Sequence, residues 1–177
     1  MKTSTSIILG IGISAAAYAL VFGQRTYHNI QRKRETVNTY AIVNAENGLA
    51  IRVYNAGIHD ETKIIQYKHA NWECMTWQFI RLSDDTVLLK NLYTHKTFQP
   101  VSNPDEGVSL WQQPLEADEY QYWEFIKASE ENYYIRLKGT ELYITATGNK
   151  NNASLTLMAK QDSKIQQWVL KEQHPIV

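Results

Sequence analysis

The chain has one cysteine, Cys74, among 177 residues. No intrachain disulfide is possible, so the fold must hold by its apolar core. It also lacks net charge, with 18 Lys and Arg against 18 Asp and Glu. That balance is uneven along the chain. Lys2, Arg25, Arg32, Lys33 and Arg34 precede every acidic residue, and from Glu35 onward 13 basic residues face 18 acidic ones, a net −5. A domain of that sign argues against nucleic acid as a partner, because phosphate binding needs a basic face. No long stretch of helical period follows residue 40. The five histidines (His28, His59, His69, His95, His174) show no metal-ligand spacing, and no glycine-rich phosphate loop is present. Neither a metal nor a cofactor is expected. His69 and Cys74 are close in sequence, but no third group completes a thiol and base, so no catalytic residue is assigned and an enzyme is not expected.

What is present is aromatic and β-branched. Eleven Tyr and five Trp accompany short runs of Val, Ile, Tyr and Thr, bounded by Asn, Asp and Gly at even spacing. This is the all-β pattern. One stretch occurs three times: Met75-Thr76-Trp77-Gln78-Phe79-Ile80, Gln121-Tyr122-Trp123-Glu124-Phe125-Ile126 and Gln166-Gln167-Trp168-Val169-Leu170. The tryptophans lie 46 and then 45 residues apart, a period that marks a repeat architecture. A polar loop and a short apolar strand precede each copy, ending at Tyr67, Trp111 and Met158. Earlier still come paired strands: Tyr40 to Val43 with Leu49 to Tyr54, Val87 to Leu92 with Thr97 to Val101, and Tyr133 to Leu137 with Leu142 to Ala146. Four strands per repeat and three repeats follow, at about residues 38–82, 83–127 and 128–172. Asn47-Gly48 is a strong hairpin turn. Leu49, Ile51 and Val53 alternate with Ala50 and Arg52, which predicts a half-buried strand.

Residues 1–23 read as an N-terminal hydrophobic helix, either a signal peptide cut near Ala17-Tyr18-Ala19 or a membrane anchor through residues 7–23. Residues 24–37 form a basic linker. Its charges would hold an uncleaved domain in the cytoplasm. The preferred expectation is a secreted domain, or one anchored facing outward, with a cytoplasm-facing single-pass anchor as the alternative. Asn152-Ala153-Ser154 fits an N-glycosylation acceptor.

Three copies of this Trp strand, two of them Gln-x-Trp and the first Met75-Thr76-Trp77, each closing a four-strand repeat, resemble the ricin B-chain-type lectin family over about residues 38–174. The resemblance implies a β-trefoil. A single repeat cannot bury its own apolar face, whereas three around a common axis close a barrel without exposed edges. Trp77, Trp123 and Trp168 are then core, with Phe79, Phe125 and Leu170 on the same face.

The resemblance also implies non-catalytic sugar binding. In the family an Asp on the second strand, an aromatic platform on the third and polar groups before the final Trp form the pocket. Here the Asp position holds Arg52, Gln99 or Thr145, and none keeps the carboxylate. The platform is taken as Trp111 in the second repeat, Tyr67 in the first and Met158 in the third. The second repeat is the best remaining pocket, with Trp111 as stacking surface and Gln99, Gln113 and Gln121 as polar partners. Tyr67 and Arg52 are the candidates in the first. The expected partner is a glycan or glycoprotein. The alternative is a partner protein chain docking on a trefoil whose sugar sites have decayed, as in toxin-type binding subunits.

Overall fold

A computed structural model of the protein describes residues 37–82 and 86–175. The expected N-terminal helix, its cleavage or anchoring, and most of the basic linker lie outside the described residues. Among the described residues no helix is long and apolar enough to cross a membrane.

The first repeat contains β1 (Thr39–Asn44), β2 (Leu49–Val53), β3 (Ile64–Lys68) and β4 (Trp77–Arg81). The second contains β5 (Thr86–Asn91), β6 (Thr97–Pro100), β7 (Leu110–Gln113) and β8 (Trp123–Lys127). The third contains β9 (Asn132–Leu137), β10 (Leu142–Ala146), β11 (Leu155–Ala159) and β12 (Gln167–Glu172). The outer strands of each repeat pair in a closed antiparallel circuit, β1–β4–β5–β8–β9–β12 and back to β1. This barrel leaves no edge to aggregate. The inner strands form three hairpins, β2–β3, β6–β7 and β10–β11. The architecture is the β-trefoil that the family resemblance implied.

Main-chain hydrogen bonds repeat with the same period as the tryptophans. The loop after β2 docks on β7, since Glu61 N–H donates to the Gln112 carbonyl (2.8 Å) and Gln112 N–H to that of Thr62 (2.7 Å). The loop after β6 docks on β11 the same way, from Gly107 to Leu157 (2.8 Å) and Leu157 to Val108 (2.9 Å). The loop after β10 closes the cycle on β3, from Asn152 to Gln66 (2.9 Å) and Gln66 to Ala153 (3.0 Å). The pivots Glu61, Gly107 and Asn152 all have positive φ, at 60°, 82° and 68°. Two buried amides reinforce this cap. Gln112 Nε2 donates to the carbonyls of Gly57 (3.1 Å) and His59 (2.8 Å), and Gln66 Nε2 to that of Gly148.

The three tryptophans are fully buried in one cluster with Ile42, Ile51, Phe98, Leu89, Ile135 and Ile144. The Asn47-Gly48 turn forms as expected, with Gly48 at φ 71° and its N–H on the Asn44 carbonyl (3.0 Å). β2 departs from simple alternation. Ala50 is buried as well as Ile51 and Val53, because a second cluster of Ala41, Val43, Cys74 and Met75 covers its other face. A single short side chain allows that close approach.

Candidate functional site

The second-repeat hairpin brings four expected residues together. β6 and β7 pair in the register Thr97–Gln113, Phe98–Gln112, Gln99–Trp111 and Pro100–Leu110. Alternation buries Phe98, Leu110 and Gln112 and turns Gln99, Trp111 and Gln113 to the other, half-exposed face. Trp111 therefore stands directly across from Gln99, with Gln113 two residues along the same face.

Gln121 sits beneath this face, 1 % exposed. Its Nε2 donates to Gln99 Oε1 (2.8 Å) and to the Pro114 carbonyl (2.8 Å), and its Oε1 accepts from Glu116 N–H (3.0 Å). Both ends of its amide are engaged inside the protein, so it fixes the β7–β8 loop and orients Gln99. Gln166 does the same in the third repeat, bonding Thr145 Oγ1 (2.8 Å), the Ala159 carbonyl (2.8 Å) and Gln161 N–H (2.7 Å).

The first repeat is built differently. Met75 replaces the glutamine and packs in the second apolar cluster. Gln173, beyond β12, ties the loop instead. Its Nε2 donates to Thr76 Oγ1 (2.6 Å) and to the carbonyls of Ala70 (3.3 Å) and Trp72 (3.4 Å), while its Oε1 meets His69 Nε2 (2.8 Å). Arg52 and Tyr67 are neighbours, with the guanidinium carbon 4.6 Å from the Tyr67 ring centre. Trp72 joins them, 5.3 Å from the guanidinium carbon and 48 % exposed. Sequence reasoning did not place Trp72 beside Arg52. It lies on a loop outside the strand pattern, and no spacing announces it. Cys74 is buried and His69 is occupied by Gln173.

The structure corrects the alignment of the third strands. Three backbone bridges link the hairpins: Lys63 with Trp111, Ser109 with Thr156 and Ser154 with Ile65. Trp111 is thus equivalent to Ile65 and Thr156, while Tyr67 and Met158 are equivalent to Gln113. The sequence alignment set Tyr67 and Met158 level with Trp111, two residues out of step. A slip of two preserves the face of every side chain, so alternation cannot reveal it.

Arg136 bonds Glu124 (2.8 Å) and Glu141 (2.9 Å). The hydrogen bond to Glu124 is the main cause that raises its guanidinium above the ordinary value. Among the described residues no group of three or more acidic, His or Cys side chains is placed to hold a metal.

No protein-family model matches the sequence, and no curated protein matches it. Solved structures do match in shape. A designed threefold-symmetric protein, ThreeFoil, is 19% identical with a TM-score of 0.73, over 75% of this chain and 97% of that one. A Macrolepiota procera ricin B-like lectin, solved with lactose, is 18% identical with a TM-score of 0.66, over 76% of this chain and 94% of that one. An exo-β-1,3-galactanase from Clostridium thermocellum is 15% identical with a TM-score of 0.72, but the match spans only 30% of the enzyme. The chain has the β-trefoil fold, which it shares with these structures, the ricin B-like lectin among them.

Proposed function

We propose that the protein is a non-catalytic carbohydrate-binding module whose glycan stacks on Trp111 in the second repeat. One observation carries this reading. An indole stands half exposed beside Gln99 and Gln113, and a buried glutamine fixes the nearer amide from below. The indole face suits the apolar C–H face of a pyranose, and side-chain amides donate to and accept from adjacent hydroxyls. Gln99 Oε1 is held by Gln121, which leaves its Nε2 group to donate to a sugar. The lactose of the Macrolepiota procera lectin supports the ligand class. The domain is proposed to act outside the cell, secreted or held by residues 7–23.

With no carboxylate at the strand-two positions, affinity should be weak, on the order of millimolar. A glycan array followed by titration of the full-length protein tests the reading. Trp111→Ala should abolish binding and leave the thermal midpoint nearly unchanged, because the ring is only half buried. Binding that survives this substitution removes the second-repeat site.

A second reading, a protein-interaction trefoil, is favoured by one feature. Trp72 and Tyr93, both about half exposed, line one cleft with Ala56, Asn71 and Glu73. Large exposed aromatics are frequent binding hot spots. A blank glycan array would favour this reading.

A further inference from the structure

The three repeats place equivalent residues in equivalent frames, so a departure in one repeat is visible against the other two. In the second and third repeats a buried glutamine amide reaches the strand-two side chain, Gln121 to Gln99 and Gln166 to Thr145, each at 2.8 Å. In the first repeat both members change, to Met75 and Arg52. The thioether offers no such bond. Arg52 Nε is buried without a hydrogen-bond partner. The described ion pairs are Lys96–Asp60, Arg136–Glu124, Arg136–Glu141 and His174–Glu172, and Arg52 belongs to none of them.

The Arg52 guanidinium stands in no described ion pair and rests against the faces of Tyr67 and Trp72. Contact with ring faces uses the guanidinium charge but makes no hydrogen bond; Nε is buried, and the terminal Nη groups remain to meet an oxyanion. The Tyr67 and Trp72 rings lie 6.4 Å apart and 31° from parallel, so both help fix the position of the cation. The domain as a whole is acidic, so this cation is a local feature and not part of a general basic surface.

We infer that the first repeat is a second subsite, for an acidic sugar: a pyranose carrying a carboxylate or a sulfate ester, its ring on Trp72 and its anionic group on Arg52. This rests on the glycan-binding reading but uses a different repeat.

The experiment titrates the full-length protein with lactose, sialyllactose, sulfated lactose and sodium sulfate alone, at low and high salt. At least one acidic sugar should bind about tenfold more tightly than lactose at low salt, an advantage that shrinks at high salt. The acidic sugar that gains identifies carboxylate or sulfate as the recognised group. Arg52→Gln should erase the advantage, and Arg52→Lys should keep part of it, which separates loss of charge from loss of fold. Trp72→Ala should reduce it. Trp111→Ala should abolish lactose binding while the acidic sugar still binds.

Equal binding of acidic and neutral sugars overturns the inference. So does an advantage that survives Arg52→Gln, or sodium sulfate alone binding as tightly as sulfated lactose. The two readings fail separately. Lactose binding lost with Trp111→Ala but no acidic advantage sinks this inference only. An acidic advantage without lactose binding sinks the second-repeat site only.

Discussion

The first and second repeats share a backbone and differ in what stands on it. In the second, Gln121, Gln99 and Trp111 form a neutral amide network beneath an indole. In the first, the equivalent positions are Met75, Arg52 and Ile65, with Arg52 resting on Tyr67 and Trp72. The loop that Gln121 closes in one repeat is closed in the other by Gln173, from the far end of the chain. The frame therefore depends on the buried tryptophans and the cyclic main-chain bonds. Side chains on the outer face of each hairpin are free to diverge.

If the frame is common, breaking it should cost several kcal/mol in either repeat, the indole N–H bonds aside. Trp77→Ala and Trp123→Ala each remove a fully buried indole from the shared cluster. Each should lose about 4 kcal/mol of stability in denaturant titration. A much smaller loss in one repeat would show that the two are not energetically equivalent.

Exchanging the loop closures separates the repeats. Gln121→Met should cost about 2–3 kcal/mol, because it strands the Pro114 carbonyl and the Glu116 N–H. Met75→Gln should not yield the reverse gain. Its amide would enter an apolar cluster beside a loop already tied by Gln173. A loss of about 1–2 kcal/mol is expected there. Chemical denaturation of the two variants side by side checks both, and a stabilising Met75→Gln would refute the role given to Gln173.

A finer difference lies in the indole N–H groups. Trp77 Nε1 donates to the Ile51 carbonyl and Trp168 Nε1 to that of Ile144, both at 3.1 Å. Trp123 Nε1 is buried without an acceptor. Replacement by Phe removes a bonded donor in one case and an orphaned donor in the other. Trp77→Phe should therefore cost about 1–2 kcal/mol more than Trp123→Phe, read from the midpoints of matched unfolding curves. Equal costs would show that the Trp123 N–H finds a partner in solution.

Much of the frame was legible in the sequence, because its signals are the ones side chains carry openly. The spacing of Trp77, Trp123 and Trp168 gave the threefold repeat, and Asn47-Gly48 gave the first turn. Alternation placed Ile51 and Val53 inside. The hairpin registers were less legible. Trp111, Tyr67 and Met158 each end an apolar run, and a two-residue slip between them changes no face, so only inter-repeat backbone bridges could align them. The bonding of Gln121 was hidden because a glutamine that points at a sugar and one that seals a loop look alike in sequence. The cluster of Arg52, Tyr67 and Trp72 joins a strand pair to a loop, a contact that no local pattern encodes.

The smallest test concerns the loop pivots. Glu61, Gly107 and Asn152 make the same main-chain bond, yet only Gly107 meets positive φ without a side-chain penalty. Asn tolerates the left-handed region better than Glu does, because its short amide can bond locally. The side chain of Glu61 makes no described ion pair to offset its strain. Glu61→Gly relieves that strain but gives the unfolded chain more freedom, and the two effects oppose each other. Relief should prevail by about 0.5 kcal/mol, because the left-handed conformation costs an L-residue about 1–2 kcal/mol and glycine's extra freedom somewhat less. Thermal unfolding should show a slightly raised midpoint for Glu61→Gly and a lowered one for Gly107→Glu. A lowered midpoint in both would mean that Glu61 holds its loop by more than its backbone.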